Sequence, residues 1–127
     1  MANNYLSEVY SQSLFWMAES FYQEQNYASS VEGYNRFFAS EGAPRTQEYD
    51  QAFYNAGYAH FKERQYSHAL TKFQQFESRK GYAGNQRMEA DLYNRMGDCC
   101  FMLSELDKAQ RQYSKTIALG GYDVDYA

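Results

Sequence analysis

The chain has 127 residues, a net charge of −4 and a pI near 5.1. That acidity argues against a nucleic-acid binder, which needs a basic footprint, and no apolar run approaches the roughly 20 residues that a membrane-spanning helix requires. The opening MANNYLSEVYSQ lacks a basic stretch followed by an apolar one, so no signal peptide is read in this chain.

Apolar residues make up 44% of the chain, but 14 Tyr and 9 Phe supply most of the bulk. The core is therefore expected to be aromatic, with many tyrosines half-buried and their polar tips outward. A single proline and few β-branched residues favour helix. The first helix is expected over 4–25, with Leu14, Met17, Ala18 and Phe21 on its packing face. Asn26 turns the chain into a second helix over 27–40, carrying Tyr27, Val31, Tyr34 and Phe37. The segment EGAPRT then breaks the pattern: Gly42 suits a helix end, Pro44 prevents continuation, and Thr46 is placed to cap the next helix.

The stretch 50–76 reads as two more amphipathic helices around Arg64-Gln65. Phe53, Ala56, Gly57, His60 and Phe61 recur at helical spacing, and the pattern restarts with Tyr66, Ala69, Leu70, Phe73 and Phe76. After the breaker KGYAGN, Asn85 is placed to cap a helix over 86–103. Ser104-Glu105 turns the chain, and a last helix over 106–118 is expected to end at Gly120-Gly121.

These segments form an internal repeat. The small residues Ala18, Gly57 and Gly97 are 39 and 40 residues apart, and so are Ser30, Ala69 and Ala109. An aromatic follows four residues later each time, as Tyr34, Phe73 and Tyr113, and Tyr27, Tyr66 and Leu106 open the three second helices. Small residues at matched positions mark where two helix backbones approach closely. The expected repeats cover 5–41, 46–80 and 86–119. Asp125-Tyr126-Ala127 echoes Asp50-Gln51-Ala52, so a fourth repeat is expected to begin at 122–127 of a longer solenoid.

The pattern resembles the tetratricopeptide repeat. The resemblance rests on Phe53, Ala56-Gly57, Ala69 and Phe73; on Tyr93, Met96-Gly97, Ala109 and Tyr113; and more loosely on Leu14, Met17-Ala18, Ser30 and Tyr34. The period is longer than the usual 34, and the proline that usually closes a repeat is absent unless Pro44 serves. The resemblance implies an all-α fold, a right-handed α-α superhelix of three helical hairpins, whose first helices line a concave groove. Family positions three before, one after and four after the small residue place Phe15, Glu19, Tyr22, Tyr54, Tyr58, Phe61, Asn94, Asp98 and Phe101 there. The groove is thus expected to be aromatic at its centre and acidic at both ends, suited to a basic protein or peptide partner. Tyr54 and Tyr58 are expected to be the exposed anchors, while Tyr22, Phe61 and Phe101 also suit inter-repeat packing. Chaperone-binding members grip a C-terminal carboxylate with Lys and Asn. Here Glu19 and Asp98 stand at such positions, with Lys62 and Arg95 the only nearby cations, so that clamp is not expected. The phrase LFWMAESFYQEQNYASSVEGYNRFF is similar in texture to repeats of bacterial envelope proteins, which leaves cytoplasm and periplasm both open.

Catalytic chemistry is not read from the chain. His60 and His68 are the only histidines; they can approach across a hairpin, but no third ligand is evident. Cys99-Cys100 read as two buried thiols, since neighbours on a helix point about 100° apart and a disulfide between them would be strained. Glu89 and Asp91 read as acids favoured in a helix first turn. The function expected is a non-catalytic protein-interaction scaffold without a cofactor. The alternatives are a structural spacer that self-associates through exposed repeat ends, or a regulatory module of a larger enzyme or sensor.

Overall fold

The computed structural model describes residues 3–124, and within them six α-helices follow one another without a strand. They are α1 (Asn3–Gln23), α2 (Tyr27–Ala39), α3 (Tyr49–Lys62), α4 (Tyr66–Arg79), α5 (Gln86–Met102) and α6 (Leu106–Val124), with one 3-10 turn (Ala43–Arg45) between α2 and α3. Consecutive helices pack as hairpins α1–α2, α3–α4 and α5–α6, and each hairpin rests on the next through α2–α3 and α4–α5. The result is an α-α superhelix. None of the described helices is long and apolar enough to cross a membrane.

Each hairpin turns in the same way. Gln25, Arg64 and Ser104 adopt the left-handed conformation at φ 63°, 61° and 64°. The residue after each donates its backbone N–H five residues back, to Phe21, His60 and Cys100. Those bonds satisfy carbonyls that a helix end leaves free. The second helix then starts one residue on, and Asn26 caps α2 through the Ser29 N–H at 3.3 Å. A non-glycine residue in this conformation costs about 1 kcal/mol. Arg64 is exposed, so Arg64→Gly is expected to raise the unfolding free energy by about 0.5–1 kcal/mol. Urea denaturation checks it; a loss of stability would show that the arginine side chain outweighs its backbone strain.

The close approaches lie where the small residues were expected. A methyl at Gly57 would come 2.5 Å from the Phe73 ring, and one at Gly97 2.5 Å from the Tyr113 ring. In the first hairpin the Ser30 hydroxyl donates to the Ala18 carbonyl at 2.9 Å. Aromatics knit the hairpins together: Phe38 of α2 stacks on Phe53 of α3 at 4.6 Å, and the Lys72 ammonium lies 4.1 Å over Phe38.

Three expectations are corrected. Thr46 does not cap α3. Its hydroxyl donates to Ala43 O at 2.7 Å and closes the 3-10 turn, and α3 begins three residues later. Met17 is exposed, although its equivalents Ala56 and Met96 are buried. Those two face a preceding hairpin, and α1 has none among the described residues. Gly120-Gly121 does not stop α6, which runs on to Val124; two glycines disfavour a helix by about 1 kcal/mol each but end it only when a left-handed turn forms. Residues 122–124 belong to α6, and Asp125-Tyr126-Ala127, on which the expected fourth repeat rests, lie outside the described residues.

Candidate functional site

The position after each small residue shows how the first helices are built. Glu19 of α1 accepts the hydroxyl of Tyr34 from α2, and Asp98 of α5 accepts that of Tyr113 from α6 at 2.6 Å. In α3 the same position holds Tyr58, and its α4 counterpart is Phe73, which has no hydroxyl. Carboxylate goes with tyrosine, and tyrosine with phenylalanine, because a buried phenol must have an acceptor. The Tyr58 and Tyr54 hydroxyls instead both donate to Asp91 of α5 and tie the second hairpin to the third. Burial first, then that carboxylate, holds both phenols well above their ordinary range. Asp91 is thus a shared acceptor rather than a first-turn acid: α5 begins at Gln86, and only Glu89 lies in its first turn. No local signal marks it, since its partners lie 37 and 33 residues away. Arg95 lies between the acids, 3.8 Å from Asp91 and 3.1 Å from Asp98.

The nine residues expected at the groove divide between core, cleft and surface. Phe15 is core, at 2% exposure, with its ring edge-on to Phe37 and Tyr34 at 5.8 and 6.0 Å. It occupies the place of Tyr54 but has no hydroxyl to hold at the surface, so it turns into the hairpin. Tyr54 and Tyr58 are half-buried rather than exposed, with their rings against Phe73 at 6.1 and 5.6 Å. Tyr22 and Phe61 are half-buried, leaning on Tyr27 and Tyr66 at 5.2 and 5.5 Å. Phe101 is 58% exposed, where the third repeat offers Leu106 instead of an aromatic. Asn94 and Asp98 are half-buried on α5.

Between α1 and α3 lies a cleft of about 200 Å³ lined by Glu19, Tyr22, Gln23, Asn55 and Tyr58. Three of these are expected groove residues; Gln23 and Asn55 are additions from the structure. Asn55 Nδ2 donates to Glu19 Oε2 at 2.7 Å. Burial raises the Glu19 carboxyl above its ordinary range, and the Asn55 hydrogen bond offsets part of the rise.

On the other side of the second hairpin, buried His60 stacks on His68 with centroids 5.4 Å apart, and its Nδ1 hydrogen-bonds Gln65 Oε1 at 2.7 Å. Among the described residues no group of three His, Cys, Asp or Glu converges as metal ligands. Burial lowers the His60 pKa; the Gln65 hydrogen bond offsets part of that fall, and the charges of His68 and Lys72 add smaller downward pushes. The folded state therefore prefers neutral His60, and the unfolded state binds the extra proton. This contribution to stability is fully present above about pH 6.5 and falls as the pH drops below it. Melting temperature is expected to be lower at pH 5.5 than at pH 7.5, with a shallower difference in His60→Gln. Equal slopes for the two proteins would remove His60 as the cause. Cys99 and Cys100 are both buried, and burial pushes the Cys99 thiol up to about 12, which leaves it protonated and unreactive.

No protein-family model and no curated protein matches the chain. Solved structures do. The chain is similar to the second TPR of Spaghetti (RPAP3), solved bound to the HSP90 peptide SRMEEVD, with a TM-score of 0.70 over 94% of this chain and 99% of that one. The chain has the tetratricopeptide-repeat fold. The other two tetratricopeptide-fold comparisons agree. The first TPR of Spaghetti, bound to the same peptide, gives 0.64 over 88% and 80%, and the crystal structure of MamA gives 0.68 over 91% and 61%. Sequence identities are 19%, 17% and 15% respectively. The shared feature is backbone architecture.

Proposed function

We propose that this tetratricopeptide fold is a non-catalytic scaffold that holds an extended or helical segment of a partner protein along α1, α3 and α5. One observation carries the reading: the cleft between α1 and α3, where Glu19, Tyr22, Gln23, Asn55 and Tyr58 meet. The RPAP3 domains of the same fold hold a peptide that ends in EEVD. This groove has the opposite preference, because Glu19, Asp91 and Asp98 face it and Arg95 is engaged with two of them. Its partner segment is basic.

The test is selection of binding peptides from a random displayed library, with each binder mapped by amide chemical shifts. Support is a set of Lys- or Arg-containing peptides that perturb α1 and α3 and lose at least tenfold in affinity in Tyr22→Ala. Binders confined to the α2–α4–α6 side, or acidic binders, would overturn the reading.

A second reading, self-association, draws on α1, where Leu6, Val9, Tyr10, Trp16 and Met17 are exposed along one face. Its Tyr10, Ser13, Met17 and Ser20 are in register with Tyr49, Ala52, Ala56 and Ala59 of α3, three of which are fully buried. Sedimentation analysis separates the two readings: a concentration-dependent rise in mass, abolished by Trp16→Glu/Met17→Glu, supports association through this face.

A further inference from the structure

The groove contains three carboxylates, and they are not equivalent. Asp91 and Asp98 share Arg95. Asp91 also accepts two phenols and Asp98 one, so that end is electrically and sterically occupied by the chain itself. Glu19 differs. Its Oε2 accepts both the Tyr34 hydroxyl and Asn55 Nδ2. Among the described residues nothing hydrogen-bonds its Oε1, and no Lys or Arg lies within ion-pair distance of the carboxylate. Lys62 lies 6.0 Å over the Tyr27 ring and is not part of the cleft lining.

The walls around Glu19 are aromatic. Tyr58 has its hydroxyl committed to Asp91, so it presents its ring to the cleft. Tyr22 is held edge-on by Tyr27. A half-buried carboxylate without a countercharge is costly, and a cation entering beside it recovers that cost. Aromatic faces favour cations through their negative quadrupole. A volume near 200 Å³ admits one side chain rather than a helix.

We infer that the α1–α3 cleft is a subsite for a single protonated lysine or arginine side chain of the partner, with Glu19 Oε1 as the countercharge, the Tyr22 and Tyr58 rings as walls, and Asn55 fixing the carboxylate. This rests on the groove reading above and narrows it to one pocket and one ligand chemistry. Asn55 is a positioning residue here: its hydrogen bond holds Oε2 in place and leaves Oε1 without a hydrogen-bond partner among the described residues.

The test uses small probes and the full chain. N-acetyl-lysine-N-methylamide and its arginine analogue are titrated against N-acetyl-norleucine-N-methylamide, following the Asn55 side-chain amide and the Tyr22 and Tyr58 ring carbons by NMR. The cationic probes are expected to give saturable shifts at these three residues, with at least tenfold weaker shifts for the neutral probe. Glu19→Gln keeps acceptors for Tyr34 and Asn55 and is expected to weaken the cationic probes at least tenfold. Tyr22→Leu keeps the apolar bulk and is expected to weaken them about threefold; it decides the matter if Glu19→Gln fails to fold by circular dichroism. Equal binding of the neutral probe, unchanged binding in the variants, or shifts centred on Asp91 and Asp98 would overturn the subsite. Selected peptides that lie in the groove without using the cleft would sink this inference alone. Cationic probes seated in the cleft, together with peptides bound elsewhere, would sink the groove reading instead.

Discussion

Replacing Phe73 with alanine is expected to lower the unfolding free energy by about 4 kcal/mol. Phe73 is fully buried at the centre of the middle hairpin, with its ring against Gly57 and edge-on to Tyr54 and Tyr58. Its contacts on that side cannot fill the space: Gly57 has no side chain, and both tyrosines are fixed through their hydroxyls to Asp91. In a solenoid each repeat is stabilised by its neighbours, so a defect in the middle hairpin also weakens coupling between the ends. Trp16, the only tryptophan, reports on the first hairpin, whereas far-UV circular dichroism reports on all three. In urea the two signals are expected to change together in the native protein and to separate in Phe73→Ala. A loss below about 1 kcal/mol with coincident transitions would mean that the Gly57–Phe73 contact does not organise the hairpin.

Gly42→Ala is expected to cost about 3 kcal/mol, for a different reason. Gly42 has φ −82° and ψ −9°, which any residue adopts, so its requirement is purely steric. A methyl there would overlap the Ser7 carbonyl and come within 2.7 Å of Glu8 N. Both are backbone atoms of α1 and cannot rotate away as a side chain can. The same junction holds Ser11 Oγ and Ser40 Oγ 2.6 Å apart and buries Ala43 completely, so α1 would have to lift off the turn. Gly84→Ala is the control. Gly84 has φ +79° with open space around it, so the substitution should cost only the conformational penalty of about 1 kcal/mol. Thermal melting of the two variants checks this order, and a neutral Gly42→Ala would show that α1 is not seated on the turn.

The fold was legible because it depends on backbone spacing. Ala18, Gly57 and Gly97 keep register with Ser30, Ala69 and Ala109, and a small residue opposite a large ring is a local steric requirement that spacing along the chain reveals. The hairpin turns follow the same register, although their left-handed residues, Gln25, Arg64 and Ser104, carry no glycine to announce them.

The site was legible only in outline. Glu19, Tyr22 and Tyr58 are placed on the groove side of the first helices by the resemblance to the tetratricopeptide repeat. Spacing says which way a side chain leaves its helix, not what meets it. That Phe15 turns inward while Tyr54 stays near the surface depends on whether an acceptor from the next hairpin reaches the ring's tip. Asp91, Arg95 and Asn55 join the site through partners 33 or more residues away or through charges shared between them. The sequence by itself determined a stack of three aromatic helical hairpins. Tertiary structure alone decided which carboxylates are used up inside that stack and that, among the described residues, nothing hydrogen-bonds the second oxygen of Glu19, because charge compensation is settled by through-space distance rather than by order along the chain.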